Sequence, residues 1–442
     1  MEYLSQIAFL LLSAASVYLF SRNIGRIRKN ILMGKPEDLS EDPGKRWKNL
    51  MLFALGQQKM FRKPGVAIMH FIIYAGFIII NIEVLEIVLD GIFGTHRLFL
   101  KSFETTEGFK AFYGFLINTF EWLAVGVIAV CIAFLARRNM MKLNRFIHND
   151  LDGWPRSDAN YILITEIVLM SLFLIMNASD QVLQSRSHAG YTDTPAFFFS
   201  DMIAGLLKGA SESQLVLLER FCWWLHIAGI FAFLNYLPYS KHLHILLAFP
   251  NTYYMRLNPQ GQMENMENIQ REVKLMMDPS AQAPETDSAQ MKFGARDVFD
   301  LSWKSLLDAY SCTECGRCTS ACPANMTGKQ LSPRGIMMKT RDRLEEAGTI
   351  IRKNGEWKED GKSLLHDYIS TEELRACTSC NACVTECPVG INPLHIILEL
   401  RRNLVMEESN APQEWNGMFS NIENNFAPWK FSPQERADWT KS

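Results

Sequence analysis

Five long apolar stretches constrain this chain more than any other feature of its sequence. A helix needs about 20 residues, most of them apolar, to cross the hydrocarbon core of a bilayer. Backbone polar groups find no water there, so such a stretch crosses the bilayer as a helix. The sequence therefore predicts five transmembrane helices, all before residue 250 of 442. Their approximate ranges are 3–20, 66–89, 111–136, 159–178 and 221–238.

Basic residues are distributed unevenly among the loops between these stretches. Eleven Lys or Arg lie in residues 21–65 and five in 137–156, whereas loops 90–111 and 177–219 hold three and two. Loops rich in Lys and Arg stay on the cytoplasmic side. We therefore expect a multi-pass inner-membrane protein with its N-terminus outside and its C-terminus in the cytoplasm. The formal net charge of −2 gives no sign of nucleic-acid binding.

Eight of the ten cysteines form two groups with identical spacing. Each group reads C-x2-C-x2-C-x3-C and is followed by a proline. This spacing is typical of two-cluster ferredoxins, in which the fourth cysteine of each run ligates the other [4Fe–4S] cluster. We expect one cluster on Cys312, Cys315, Cys318 and Cys387, and the other on Cys377, Cys380, Cys383 and Cys322.

Zinc is the alternative occupant of clustered thiols. Zinc sites usually pair two C-x2-C knuckles to give four ligands. Each group in this sequence instead has four cysteines within eleven residues. The isolated Cys131 and Cys222 lie in apolar stretches and are expected to pack as small hydrophobic residues.

The chain is thus predicted to be all-α, a five-helix membrane bundle followed by a helical two-cluster domain. The 54 residues between Cys322 and Cys377 exceed the compact ferredoxin pattern and favour a helical variant. We predict a membrane domain at 1–250, a linker at 251–292, a two-cluster domain at 293–404 and a tail at 405–442.

Three histidines in or near the apolar stretches are candidate haem ligands. His70 lies near the cytoplasmic end of the second stretch, and His226 and His244 are separated by 18 residues. If the last helix continues past Pro238, that separation is five helical turns, or about 27 Å. His244 then lies level with His70, and the two imidazoles can hold one haem b between facing helices.

His226 would lie in the outer half of the membrane, without a histidine partner. It either binds a second haem with another ligand or contributes to a quinone pocket, and the sequence leaves both open. Carboxylates within the membrane are costly and usually functional. Glu83 and Glu121 are therefore candidates for a quinone site (quinone or menaquinone), with Glu86 and Glu166 as further intramembrane carboxylates; a purely structural role is the alternative.

The membrane half resembles the gamma subunit of respiratory nitrate reductase, with five spans, an outside N-terminus and two histidines 18 residues apart. In that family these histidines ligate two b haems, each with a partner in the second helix. The resemblance covers three of the four ligand positions, namely His70, His226 and His244, and the fourth is absent.

The soluble half resembles the D-type subunits of heterodisulfide reductases and related iron–sulfur oxidoreductases. The matching stretches are CTECGRCTSACPANMTGKQLSPRGIM and CTSCNACVTECPVGIN. Similar domains occur in the anchor protein of anaerobic glycerol-3-phosphate dehydrogenase. Such relatives usually continue into repeats with adjacent cysteines, and this sequence has no such pair. The resemblance implies that the cysteine-rich (CCG) repeats lie on a separate partner chain. The tail at 405–442, with Trp415, Phe419, Phe426 and Trp429, is a candidate docking surface for that chain, and a disordered tail is the alternative.

The sequence therefore favours a membrane-bound electron-transfer subunit of a respiratory quinone oxidoreductase complex. Electrons would pass between the quinone pool and a cytoplasmic partner, either a cysteine-rich-repeat iron–sulfur protein or a flavoprotein. No nucleotide-binding or nucleophile motif is present, so substrate chemistry is expected on the partner. Two alternatives stay open, a membrane component of a heterodisulfide reductase and a non-catalytic iron–sulfur scaffold or redox sensor.

Overall fold

A computed structural model describes residues 3–103, 106, 108–141, 143–278 and 292–441. Five of its helices, the first, third, fifth, sixth and eighth, are long and apolar enough to cross a membrane, which confirms the prediction. The helices of this half are α1 (Leu4–Ile31), α2 (Pro43–Asn49), α3 (Pro64–Phe93), α4 (Leu98–Ser102), α5 (Phe109–Asn139), α6 (Trp154–Ser185), α7 (Phe198–Leu207), α8 (Glu212–Tyr236) and α9 (His244–Tyr253).

The second half is also helical, as predicted, and the described residues contain only isolated β-bridges, such as Lys35 with Ser302. Its helices are α10 (Glu267–Met277), α11 (Trp303–Ser311), α12 (Arg317–Ser320), α13 (Pro323–Met326), α14 (Pro333–Asn354), α15 (Thr371–Ala376), α16 (Ala382–Glu386), α17 (Pro393–Arg402) and α18 (Gln413–Asn425).

Local sequence signals set many of these helix ends. Helix α14 begins after Ser332, whose side chain accepts a hydrogen bond from the Gly335 amide, and Pro333 occupies the first turn, where its missing N–H costs nothing. The same helix ends at Gly355, which has a φ of +83°. A residue without a Cβ adopts this left-handed conformation easily, so the helix stops there.

The last membrane helix does not continue past Pro238, so the condition under which His226 and His244 would share one helix is not met. Helix α8 ends at Tyr236, a 3-10 turn covers Leu237–Tyr239, and Ser240 is extended. Proline lacks the N–H that an α-helix needs at this point. Asp158, at the start of α6, stabilises the break by accepting hydrogen bonds from Ser240 Oγ (2.7 Å) and Lys241 N (3.0 Å). His226 and His244 therefore lie on different helices.

The two halves share one hydrophobic core at their junction. The last turns of α1 contribute Ile27 and Ile31, which are buried together with Leu306 of α11 and Leu344 of α14. The Asn30 side chain also donates a hydrogen bond to the Tyr310 hydroxyl (2.8 Å). The first membrane helix is thus part of the cysteine-containing half as well.

The predicted linker is only partly a connector. Asn251 and Thr252, at the end of α9, are fully buried, and Asn251 Nδ2 donates to the Val389 carbonyl (3.0 Å). Helix α10 follows, and the rest of the predicted linker, residues 279–291, lies outside the described residues. The predicted domain limits stay predictions.

Candidate metal centre

The first group of cysteines surrounds a small cavity. Cys312, Cys315 and Cys318 lie where the chain turns from α11 into α12, and Cys387 enters from the end of α16. All four line the same cavity, together with Pro388 and with Cys383 of the second run. The fourth cysteine of the second run thus lies with the first three of the other run.

The second group has the reciprocal composition. The thiols of Cys377 and Cys383 are close enough to Cys322 and Cys380 for electrostatic interaction. Cys380 is exposed to solvent, whereas Cys322 and Cys383 are buried. The second group therefore reaches the surface at Cys380, whereas no cysteine of the first group is exposed.

Both cysteine loops use the same backbone turns. The second residue after the first cysteine is left-handed in each loop, Glu314 with a φ of 54° and Ser379 with a φ of 55°. The fourth is also left-handed, Gly316 with a φ of 71° and Asn381 with a φ of 61°. Such turns curl the chain around a centre, and Gly316 additionally packs where a Cβ would lie 2.6 Å from Arg334 Nη1.

Backbone amides point at two of the sulfur atoms. The Ser379 amide donates to Cys377 Sγ (3.4 Å), and the Ile391 amide donates to Cys387 Sγ (3.3 Å). Amide hydrogen bonds to cysteine sulfur stabilise negative charge there and tune the potential of iron–sulfur clusters. The donor set of these loops therefore fits two cubane clusters.

Burial raises the pKa of these thiols when no metal is bound. The pKa values of Cys312 and Cys383 rise to about 12, and that of Cys387 to about 11. Thiolates in this environment need a compensating cation, and metal binding releases the protons. No three His, Cys, Asp or Glu side chains of the described chain converge closely enough to hold a single metal ion. Which cysteine ligates which cluster stays a prediction.

His70 and His244 lie near each other at the end of the membrane bundle that contacts the cysteine loops. They lie close enough to interact electrostatically, and Arg317, beside Cys318, reaches His70 as well. The Nδ1 of His70 is bonded to Gln57 Oε1 (3.1 Å), and that of His244 to the Lys241 carbonyl (3.0 Å).

A hydrogen bond at Nδ1 orients a histidine ring and leaves Nε2 for a metal. In each ring Nε2 is then the nitrogen left for a metal, and His244 reaches this position from the start of α9 and not from the last span. Its neighbour His242 lies in the same cluster, with its ring 5.5 Å from that of His244. Burial lowers the pKa values of His242, to about 3, and of His244, so both are neutral at physiological pH.

His226 lines a separate cavity deeper in the bundle. Its Nδ1 donates to the Leu169 carbonyl (2.9 Å), and the cavity also contains Asn81 and Glu166. The remaining lining is mostly apolar and includes Gly76 of α3, against which Val127 packs so closely that a Cβ would lie 2.7 Å from its Cγ2. One imidazole, one amide and one carboxyl group thus share this cavity.

Residues 311–391 match the 4Fe-4S dicluster domain family. The chain therefore carries a domain of the iron–sulfur class that the cysteine spacing predicts, and it is similar to iron–sulfur oxidoreductases over most of its length. The probable iron-sulfur-binding oxidoreductase FadF of Bacillus subtilis is 27% identical over 98% of this chain and 60% of its own length.

Two further relatives extend this picture. The EtfAB:quinone oxidoreductase of Syntrophomonas wolfei is 27% identical over 88% of this chain and 53% of its own length. The D-type component of the dihydromethanophenazine:CoB–CoM heterodisulfide reductase of Methanosarcina acetivorans is 28% identical over 32% of this chain and 35% of its own length. The chain thus spans little more than half of the two relatives that it matches over most of its length. No solved structure matches it.

These relatives confirm the predicted likeness of the soluble half to the D-type component of heterodisulfide reductases. The likeness of the membrane half to the nitrate reductase gamma subunit stays a prediction, and so does haem binding.

The two predicted quinone-site carboxylates lie away from the His226 cavity. Glu121 accepts hydrogen bonds from the amides of Phe199 (2.8 Å) and Ser200 (3.1 Å) and so caps the start of α7. Glu83 lies 3.9 Å from Arg97 Nη1, and its Oε2 has no hydrogen-bond partner among the described residues. The described lining of that cavity includes neither, and Glu166 is the carboxylate that it contains.

Basic loops of the membrane half contact the cysteine loops directly. Lys59 Nζ donates to the Cys387 carbonyl (3.3 Å), and Arg62 Nη1 donates to the Thr385 carbonyl (3.4 Å). In the sequence these residues indicated only the orientation of the chain and were not assigned to the site. Gln57, which is bonded to His70, was also not assigned to the site. The sequence shows only that its side-chain amide lies shortly before the span that contains His70.

Proposed function

We propose that this chain transfers electrons between the membrane quinone pool and a cytoplasmic partner. The route consists of a haem b held by His70 and His244 and two [4Fe–4S] clusters held by the cysteine groups. The single observation that carries the proposal is adjacency. Gln57, which is hydrogen-bonded to His70 Nδ1, lies two residues before Lys59, whose Nζ donates to the Cys387 carbonyl, so His70 lies near the first cysteine group.

Haem and iron–sulfur clusters supply one-electron chemistry, whereas the protein supplies their binding, spacing and electrostatics. Cys312, Cys315, Cys318 and Cys387 hold the cluster nearer the membrane, and Cys377, Cys380, Cys383 and Cys322 hold the outer one. Lys59 and Arg62 place positive charge beside the loop of Cys387, which favours an extra electron there. The exposed Cys380 makes the outer cluster accessible to a partner.

The arrangement of the loops supports a cytoplasmic location for the clusters. Both basic loops, 21–65 and 137–156, lie on the side of the bundle that contacts the cysteine-containing half. Lys59 and Arg62 belong to the first loop, and Asp150, which pairs with Arg334 of α14, belongs to the second. Since basic loops remain on the cytoplasmic side, we place the chain in the inner membrane with its N-terminus outside and its clusters in the cytoplasm.

The partner is proposed to supply the substrate chemistry. The Syntrophomonas relative is named for EtfAB and quinone, and a flavoprotein donor or acceptor suits this chain in the same way. The alternative partner is a cysteine-rich-repeat iron–sulfur protein. Helix α18 presents Trp415, Met418, Phe419 and Ile422 at helical spacing, all exposed, as a docking surface for either.

A role in heterodisulfide reduction is the second candidate, because the soluble half is similar to a component of such an enzyme. A copurifying cysteine-repeat protein that reduces a disulfide substrate would favour it. If the chain is instead a redox sensor without turnover, the purified protein should contain no haem, and quinol should not reduce its clusters.

Optical and EPR spectra of the purified chain in detergent test the proposal, recorded before and after addition of a quinol analogue. We expect a reduced b-type haem band and two interacting cubane signals. His70→Leu should remove the haem band and leave the clusters, whereas Lys48→Gln, an exposed change on α2, should alter neither. A colourless protein, or an unchanged haem band in His70→Leu, would contradict the assignment.

A further inference from the structure

A further cavity, of about 270 Å³, lies beside the outer cysteine loop and is distinct from the cavity of the first cysteine group and from that of His226. It is bounded by α2, by the segment after α9 and by the loop that contains Ser379 and Asn381. Four of its lining residues are Lys or Arg and two are acidic. These charged residues are Lys45, Lys59, Arg256, Lys304, Glu264 and Asp308.

The two carboxylates are already engaged by two of the cations. Asp308 forms a buried ion pair with Lys304, and Glu264 pairs with Arg256 Nε (2.9 Å). Neither Lys45 nor Lys59 forms an ion pair with a described carboxylate, so the cavity carries a surplus of positive charge.

One guanidinium nitrogen in the cavity also lacks a hydrogen bond. The Arg256 side chain is only 9% exposed, and its Nε and Nη2 are taken up by Glu264 and Glu37. Its Nη1 is buried without a hydrogen-bond acceptor among the described residues and lies 4.0 Å from Asp308 Oδ2. Leaving a buried charged donor unsatisfied is unfavourable, and an anionic acceptor would remove that penalty.

The wall formed by residues 43–55 has two different faces. Lys45, Asn49 and Phe53 line the cavity at intervals of four residues. On another face, Trp47, Met51 and Leu55 are exposed, and Trp47 packs edge-on against Tyr253 (5.3 Å between ring centres). An exposed apolar stripe with Trp and Tyr beside basic residues is typical of a helix that lies at the membrane surface. The cavity is therefore at the depth of the lipid headgroups.

We propose that this cavity binds a phosphate group, supplied by the headgroup of an acidic phospholipid. Lys45, Lys59 and Arg256 Nη1 provide the charge-assisted donors that phosphate oxygens accept. This inference stands independently of the electron route, because it requires only the membrane and these side chains.

Native mass spectrometry of the full chain in detergent tests the proposal, with phosphatidylglycerol and phosphatidylcholine added separately. We expect retention of phosphatidylglycerol only. Lys45→Gln and Lys59→Gln should each weaken retention about fivefold, the effect of one basic contact at a membrane surface. Lys48→Gln is the matched control, since Lys48 lies on the same helix as Lys45, is exposed and does not line the cavity.

Titration with inorganic phosphate alone distinguishes the source of the group. Saturable phosphate binding that the same two substitutions weaken, without selective lipid retention, would support the phosphate site and assign it to a soluble ligand. Equal retention of phosphatidylglycerol by Lys45→Gln, Lys59→Gln and Lys48→Gln, without phosphate binding, would overturn the proposal.

Discussion

Arg334 Nε of helix α14 donates a hydrogen bond to Asp150 Oδ2 (3.0 Å), which joins the cysteine-containing half to a loop of the membrane half. The Arg334 side chain is fully buried, and its Nη1 donates to the Arg145 carbonyl (2.7 Å). The same guanidinium contacts the loop of Cys315 through the Glu314 carbonyl (3.3 Å). One side chain thus holds a cysteine loop against the membrane domain.

Removing the Asp150 charge should weaken this junction strongly. Because Asp150→Asn leaves a buried guanidinium without its counter-ion, we expect a loss of about 3 kcal/mol in the free energy of unfolding. Urea unfolding in detergent, followed by cluster absorbance, measures it. Asp152→Asn is the control, since Asp152 pairs with Arg156 at the exposed surface and should lose less than about 0.5 kcal/mol. Equal losses would show that Arg334 does not depend on Asp150.

The same pair predicts a dependence of stability on pH. Burial alone raises the pKa of the Asp150 carboxyl, but hydrogen bonds from Arg334 and Ser332 and the Arg334 charge lower it below its ordinary value of 3.8. The pKa of Asp150 is then higher in the unfolded state than in the folded state. The ionised carboxyl therefore stabilises the folded state fully above about pH 4, and this stabilisation is lost as the pH falls towards the folded-state pKa. Between about pH 5 and pH 3, the free energy of unfolding should fall more steeply in the wild type than in Asp150→Asn. Parallel curves would contradict this.

The crossed arrangement of the cysteines makes a spectroscopic prediction. Cys387→Ser should perturb the same EPR signal as Cys315→Ser, although the two residues are far apart in sequence. Cys322→Ser should perturb the signal that Cys380→Ser perturbs. Iron analysis should show a loss of about four irons where a cluster is lost. Cys222→Ser, in a membrane helix, should change neither signal; pairing by sequence group instead would refute the crossed ligation.

The His226 cavity contains a single imidazole, so we expect it to serve quinone binding and not a second bis-histidine haem. His226→Leu should leave the haem band intact and slow reduction of the clusters by quinol at least about a hundredfold, as loss of a proton-transferring group does. Stopped-flow absorbance measures both quantities. His188→Leu is the control, since His188 is a half-buried histidine in the loop before α7 and does not line the His226 cavity. Loss of half the haem in His226→Leu would assign this residue to a second haem instead.

The membrane helices were predictable because the bilayer leaves an apolar stretch few alternatives. The cysteine groups were equally predictable in kind, since four thiols must surround each cluster and their spacing is local. The tertiary contacts of individual residues were not predictable from the sequence. Pro238 indicates in the sequence that the helix can break after Tyr236. The break is stabilised, however, by Asp158, which is 82 residues from Ser240. No local pattern indicates that Arg334 meets Asp150, or that Glu121 caps α7.

The first membrane helix is also a structural part of the last domain. Helix α1 has 28 residues, or about 42 Å, which exceeds the hydrocarbon thickness of about 30 Å. Its C-terminal end supplies Ile27, Ile31 and Asn30 to the core that contains α11 and Cys312. The cysteine-containing half, separated from α1, would therefore expose the apolar surface that Ile27 and Ile31 cover.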